Sequence, residues 1–121
     1  MASQDWSGWQ DWLDAWNRRD LDAVLSLYAD DVSFTSNAVV SLGVDGSGSI
    51  RGKAALRQVF AAGLRAYPDL HFRPLHAFVG PKGRALHYFG IQRRHVIEIH
   101  EVDAQEKIIV ASAYHGPLPE G

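Results

Sequence analysis

Glu98 and His100 stand two positions apart in the run His95-Val-Ile-Glu-Ile-His-Glu-Val102, whose β-branched residues predict a strand. Residues two apart on a strand share a face, roughly 6–7 Å apart along it. Carboxyl and imidazole are the residue types that general acid–base catalysis uses. His87, Phe89 and Ile91 share a face of the preceding segment. Ala111, Ala113 and His115 share a face of the last one, where two alanines leave room for a ligand. Alternation does not say which face is the inner one. Val96, Glu98, His100 and Val102 form one set and His95, Ile97, Ile99 and Glu101 the other, and both mix polar with apolar.

Other chemistries find less support. His71 and His76, like His95 and His100, are five apart, an odd spacing that sends them to opposite faces of an unbroken strand, and no helix carries His-x-x-x-His. The absence of cysteine removes thiolate nucleophiles, disulfides and Cys-based zinc sites. Gly46-Ser47-Gly48-Ser49 is not a nucleophile elbow, and the glycine-rich stretch around it lacks the Gly-Lys-Ser/Thr ending of a phosphate cradle. Neither metal nor cofactor is expected. A net charge of −2 gives no reason to expect nucleic acid or an anionic membrane as partner. No apolar run approaches 18 residues, and Met1–Trp6 lacks the basic and apolar regions of a secretory signal, so a cytoplasmic protein is expected.

The elements that must position these groups follow from periodicity. Trp9, Trp12, Leu13 and Trp16 recur at spacings of three and four, one face of an amphipathic helix. Asp20 then suits the N-cap of a second helix bearing Leu21, Val24, Leu25 and Tyr28, closed by Asp30-Asp31. Val32, Phe34 and Ser36 alternate with Ser33 and Thr35 as a first strand. Residues 43–52 hold four glycines and predict a loop with a short strand at Ile50-Arg51 and the position of a lid. A third helix is expected over about 53–67, with Leu56, Val59, Phe60 and Leu64 on one face and Pro68 closing it. From there on the chain is strand-like: 70–79, 84–92, 95–102 and 107–114, with turn-sized polar separators. At 121 residues, with helices first and a meander after them, the chain predicts one α+β domain over 1–121.

The segment from Asp20 to Phe34, with Ile50-Arg-Gly-Lys53, Gly63-Leu-Arg-Ala-Tyr-Pro-Asp-Leu70 and Lys107-Ile-Ile109, resembles the SnoaL-like and ketosteroid-isomerase-like families of the nuclear transport factor 2-like superfamily. The resemblance covers nearly the whole chain. It implies a cone-shaped, curved antiparallel sheet of the cystatin-like kind, wrapped by N-terminal helices around an apolar pocket. It also resolves the open question of faces. Glu98 falls where relatives carry a pocket-facing acid, and His87 falls about where the cyclases carry a partner histidine. Tyr28 lines the pocket in relatives and could donate a hydrogen bond to an enolate oxygen, and Trp12 takes a helix position that points inward. The departures count too. Where isomerases carry a proton-shuttling aspartate at the end of the first strand this chain has Ser36 and then Asn37, which could position a water, and their first-helix tyrosine is Trp12. No Asp-Arg-Asp set of the related epoxide hydrolases is evident.

These residues together suggest a cofactor-independent isomerase or cyclase that moves a proton on a small hydrophobic carbonyl compound of polyketide- or steroid-like kind. Glu98 would be the base or proton donor and His87 its partner, with His100, His115 or Tyr28 stabilising the oxyanion. Trp12, Ser36, Asn37, Phe60, Phe89, Ala111 and Ala113 would line the substrate. Two alternatives stay open: a non-catalytic domain binding a ligand in the same pocket, and an epoxide hydrolase-like enzyme. Apolar groups on both faces of the last strand, Ile108, Val110 and Tyr114 against Ile109, Ala111 and Ala113, further suggest a homodimer through the outer sheet face, and an assembly module built on that face is a third possibility.

Overall fold

The computed structural model describes residues 7–119; the N-terminal hexapeptide weighed above as a signal lies outside them. Helix α1, Ser7–Asn17, buries Trp12, Leu13, Ala15 and Trp16, as the three-four spacing requires. Its last residue is tied to the far half of the chain, since the Asn17 side-chain amide donates to the Phe72 carbonyl and accepts from the Phe72 N–H. Asp20 caps α2, Leu21–Leu25, by accepting from the Ala23 N–H. This helix is shorter than expected. Tyr28 does not belong to it but opens strand β1, Tyr28–Thr35, where it lies beside Ile108; Asp30 and Asp31 sit within the strand with their side chains in water.

Ser36 corrects a second boundary. It does not prolong β1: its hydroxyl accepts from the Ala38 N–H and caps a short helix α3, Asn37–Ser41, that the alternating pattern had hidden. The short strand β2, Ser49–Arg51, and helix α4, Lys53–Ala66, follow as expected. Strands β3 (Arg73–Val79), β4 (Gly83–Phe89), β5 (His95–Val102) and β6 (Ile108–His115) form the antiparallel meander. β4 is shorter than predicted, because Gly90 ends it and a 3-10 turn at Ile91–Arg93, with Gln92 and Arg93 at positive φ, leads into β5. Ile91 therefore does not continue the His87–Phe89 face.

All six strands join one curved open sheet in the order β2-β1-β6-β5-β4-β3. The sheet is mixed, not wholly antiparallel as expected, because β1 runs parallel to β6. Across its centre Leu86, Glu98 and Ala113 lie side by side, and so do Arg84, His100 and Ala111. These rows face the helices. Trp12 of α1 packs edge-on against Tyr88 and His100, and Phe60 of α4 packs against Trp16, Tyr28 and Phe34. The next row, His87, Ile97 and Tyr114, faces the other way. A register break between Glu101 and Val102 places Ile108 in the core, so it leaves the outer set to which alternation had assigned it.

Candidate functional site

A cavity opens between the helices and the concave face of the sheet. It encloses about 520 Å³ of empty space, mouth included, of which only about 70 Å³ admits the centre of a water-sized sphere. Its walls are Trp12 and Trp16 from α1, Phe34 from β1, Val59, Phe60 and Gly63 from α4, Leu70 and Phe72 before β3, and Tyr88, Ile91 and Ala113. Ser36, Glu98 and His115 are the polar residues in the wall besides Tyr88 and the two indoles. A narrow apolar cavity with a few convergent polar groups is the form small-molecule sites take.

Glu98 is its only carboxyl among the described residues, and it is held from two sides. Oε1 accepts from the Tyr88 hydroxyl at 2.7 Å, and Oε2 lies 2.7 Å from His100 Nε2. Behind the imidazole, Arg84 Nε donates to His100 Nδ1 at 3.0 Å. Glu98 is 3 % exposed and His100 0 %. A carboxylate this deep requires partners of this kind, since an unpaired one costs several kcal/mol to desolvate. Trp12 closes the cluster from above, donating Nε1–H to the Tyr28 hydroxyl at 2.9 Å.

The environment bears on each protonation state. Burial lowers the affinity of His100 for a second proton below the ordinary imidazole value; the bond to Glu98 and its charge oppose this, and Arg84 adds to it. The phenols of Tyr28 and Tyr88 are pushed well above their usual range, first by burial and then by the Glu98 charge. Burial lowers His115 as well, so it too favours the neutral ring. Burial is likewise the main cause that lowers Arg84.

The candidates from the sequence fall into three groups. Glu98, His115, Trp12, Ser36, Phe60 and Ala113 line the cavity, although the Ser36 hydroxyl is committed to its helix cap. His100, Tyr28 and Ala111 lie behind the wall: His100 as the support of Glu98, Tyr28 as acceptor of the Trp12 N–H, and Ala111 wholly buried. His87, Phe89 and Asn37 are outside. His87 pairs with Ile97, on the sheet face opposite Glu98, and its Nε2 meets His95 Nδ1 at 2.9 Å in a stack with His76. Phe89 is on that same face against His95, under the Arg73 guanidinium. Asn37 is exposed on α3. The partner of Glu98 is thus His100 from its own strand. Tyr88 and Arg84, which complete the cluster, escaped the sequence reading although each lies on β4 at the same parity as Leu86, the neighbour of Glu98. Among the described residues no group of three or more side chains could hold a metal ion, the outer histidines included, and no helix is long and apolar enough to cross a membrane.

The comparisons with known proteins agree with this architecture. Residues 9–111 match the model of the SnoaL-like domain. A SnoaL-like protein of unknown function from Burkholderia thailandensis is 32 % identical over 97 % of this chain and 98 % of its own, with a TM-score of 0.89. The epoxide hydrolase/cyclase-like enzyme SalBIII of pyran ring formation in salinomycin shares the fold at 18 % identity, over 94 % of this chain and 95 % of its own, TM-score 0.67. A candidate ketosteroid isomerase from Kribbella flavida does so at 15 %, over 98 % and 82 %, TM-score 0.70. No curated protein matches the sequence significantly. With its family model spanning most of the chain, a close structural relative of nearly equal length and the helix-covered curved sheet in place, the chain belongs to the SnoaL-like family.

Proposed function

We propose that the protein is a cofactor-independent isomerase or cyclase that uses Glu98 to move a proton on a small hydrophobic carbonyl compound. The observation that supports this most is a carboxyl, alone in an apolar cavity among the described residues, with both oxygens aligned by buried donors. Glu98 takes a proton from the carbon next to the carbonyl; the C–H pair becomes the new C=C bond and the carbonyl pair moves onto oxygen. Returning the proton to another carbon is an isomerisation. Attack of the enolate carbon on a second carbonyl of the same molecule closes a ring: the second C=O pair moves onto its oxygen, which takes the proton back from Glu98, and the first carbonyl re-forms. The developing oxyanion needs a donor. Trp16 Nε1 and His115 Nδ1 are buried, belong to wall residues and find no hydrogen-bond partner among the described residues, so one of them can serve. Tyr28, considered for that role, is enclosed behind Trp12. The narrow cavity favours ligands of one or two rings. An epoxide hydrolase of the two-carboxylate kind has less support, because among the described residues Glu98 has no second acid across the cavity.

Uptake of deuterium from D2O into a panel of small cyclic ketones, followed by NMR, tests the proposal without knowledge of the natural product. The parent should speed exchange at the carbon next to the carbonyl, and Glu98→Gln should slow it by about 10²–10⁴-fold, the usual worth of a general base. Ketone binding without exchange in the parent would instead establish the binding-domain alternative, and undiminished exchange in Glu98→Gln would assign the proton to another wall residue.

A further inference from the structure

Arg84 donates Nε–H to His100 Nδ1, and a guanidinium has no acceptor atom to offer in return. Nδ1 must therefore be bare. The imidazole then carries its one proton on Nε2, 2.7 Å from Glu98 Oε2, and gives it to that oxygen as a hydrogen bond. We propose that Arg84 is the positioning residue of this site, locking His100 as the neutral Nε2–H tautomer so that Glu98 is presented to the cavity as a carboxylate and not as half of a shared-proton pair. The proposal rests on the reading of Glu98 as the base and says what makes it one.

The surroundings support this assignment from every side. Among the described residues, Arg84 from β4, Glu98 from its own strand, Trp12 from α1 and Tyr28 from β1 bring polar or aromatic groups to the imidazole, and Ala111 of β6 lies beside it. Only Arg84 and Glu98 among these carry charge, and they meet opposite ring nitrogens. An imidazolium would suit Glu98 but would set an N–H against the Arg84 N–H across 3.0 Å. The contact is also built into the backbone. Arg84 and His100 are direct cross-strand partners, and Gly83 beside them lies so close to β5 that a Cβ there would fall 1.8 Å from the His100 carbonyl oxygen. The second Glu98 oxygen accepts a hydrogen bond from the Tyr88 phenol, which burial and the carboxylate charge keep un-ionised. Glu98 thus receives two hydrogen bonds and gives none, and it retains lone pairs for a substrate proton.

Long-range ¹H–¹⁵N correlation spectra of the full chain labelled with ¹⁵N-histidine read the tautomer directly, with His100→Gln supplying the assignment. In the parent His100 should show one protonated nitrogen, Nε2, and hold that state as the pH is lowered past the point where an ordinary imidazole charges. Arg84→Met, which keeps the stem and removes the donor, should give mixed tautomers or a ring that takes up a second proton. Arg84→Lys, which keeps a cationic donor, should restore Nε2–H at least in part. A parent His100 found as Nδ1–H or as imidazolium at neutral pH overturns the proposal, and so does an Arg84→Met spectrum unchanged from the parent. The parent spectrum decides the tautomer by itself even where Arg84→Met fails to fold. Because no substrate is involved, the outcome is independent of whether Glu98→Gln slows ketone exchange.

Discussion

Tyr88 and His100 satisfy opposite oxygens of one buried carboxylate, so removing either strips an acceptor of its protein partner in a largely apolar surrounding. Tyr88→Phe should destabilise the fold by about 1–3 kcal/mol, the desolvation cost of a stranded acceptor. Urea denaturation measures it, and a change below about 0.5 kcal/mol would mean that the bond to Glu98 contributes nothing. The same cluster sets a pH dependence. His100 takes its second proton less readily folded than unfolded, so the unfolded chain binds the proton first as pH falls. Its contribution to stability is complete above the ordinary imidazole value of 6.5 and is lost as pH falls from there through the lowered folded value. For Tyr28 and Tyr88 the sign is the reverse: the unfolded phenols ionise first, so stability falls as pH rises past 10.0. Denaturation midpoints should hold between pH 8 and 7 and decline at pH 6 and 5, less steeply in His100→Gln; equal slopes would remove His100 as the cause. Part of this cluster was legible beforehand. Glu98 and His100 share a strand, so parity alone made them neighbours. His87 was misassigned because its face depends on the length of a turn: one residue more or less between β4 and β5 exchanges every side chain between faces. The 3-10 turn at Ile91–Arg93 carries two non-glycine residues at positive φ, and nothing in Gly-Ile-Gln-Arg-Arg announces that geometry. The same uncertainty concealed Tyr88 and Arg84.

At the scale of elements, β4 lies close against β5 at Gly83, next to the Arg84–His100 pair of the cluster. Gly83 has no unusual backbone angle; it is required for space, since an added Cβ would meet the backbone of His100 and Glu101. Backbone cannot rotate aside as a side chain can. Gly83→Ala should therefore cost more than the 0.5–1.5 kcal/mol of an ordinary core adjustment, about 2–4 kcal/mol, and should weaken the Arg84–His100 contact with it. A midpoint within error of the parent would show that the strands separate without penalty. Gly43→Ala, where nothing lies within 4 Å but φ is +76°, supplies the contrast of strain without collision. The long helices were readable from their apolar spacing because burial enforces it residue by residue. α3 and the start of β1 were not. Both turn on a single side chain, the Ser36 hydroxyl that caps a helix and the Tyr28 ring that belongs to a strand, and alternation is blind to such local choices.

Over the whole molecule the two faces of the sheet differ in their cover. The concave face is packed by the helices, whereas the outer face exposes Phe78, Ile97, Ile99 and Tyr114 beside the histidine stack. Such a contiguous apolar face usually marks an interface, and self-association of two copies through it remains our proposal. Sedimentation at tens of micromolar should give a dimer that Ile97→Lys converts to a monomer; a monomeric parent would count against it. The pairing of the first long strand with the last has a further consequence, this time for how the chain comes into being. β2 pairs with one edge of β1, but Tyr28 lies beside Ile108, so the other edge waits for β6, roughly 80 positions later in the chain. At about 5–20 residues per second, the ribosome needs roughly 4–16 s to supply it. During that interval Val32, Phe34, Trp12 and Trp16 have no completed sheet on which to bury themselves. Through that interval the nascent chain carries this apolar surface uncovered, and chaperone capture or aggregation should be decided there, before β6 has emerged.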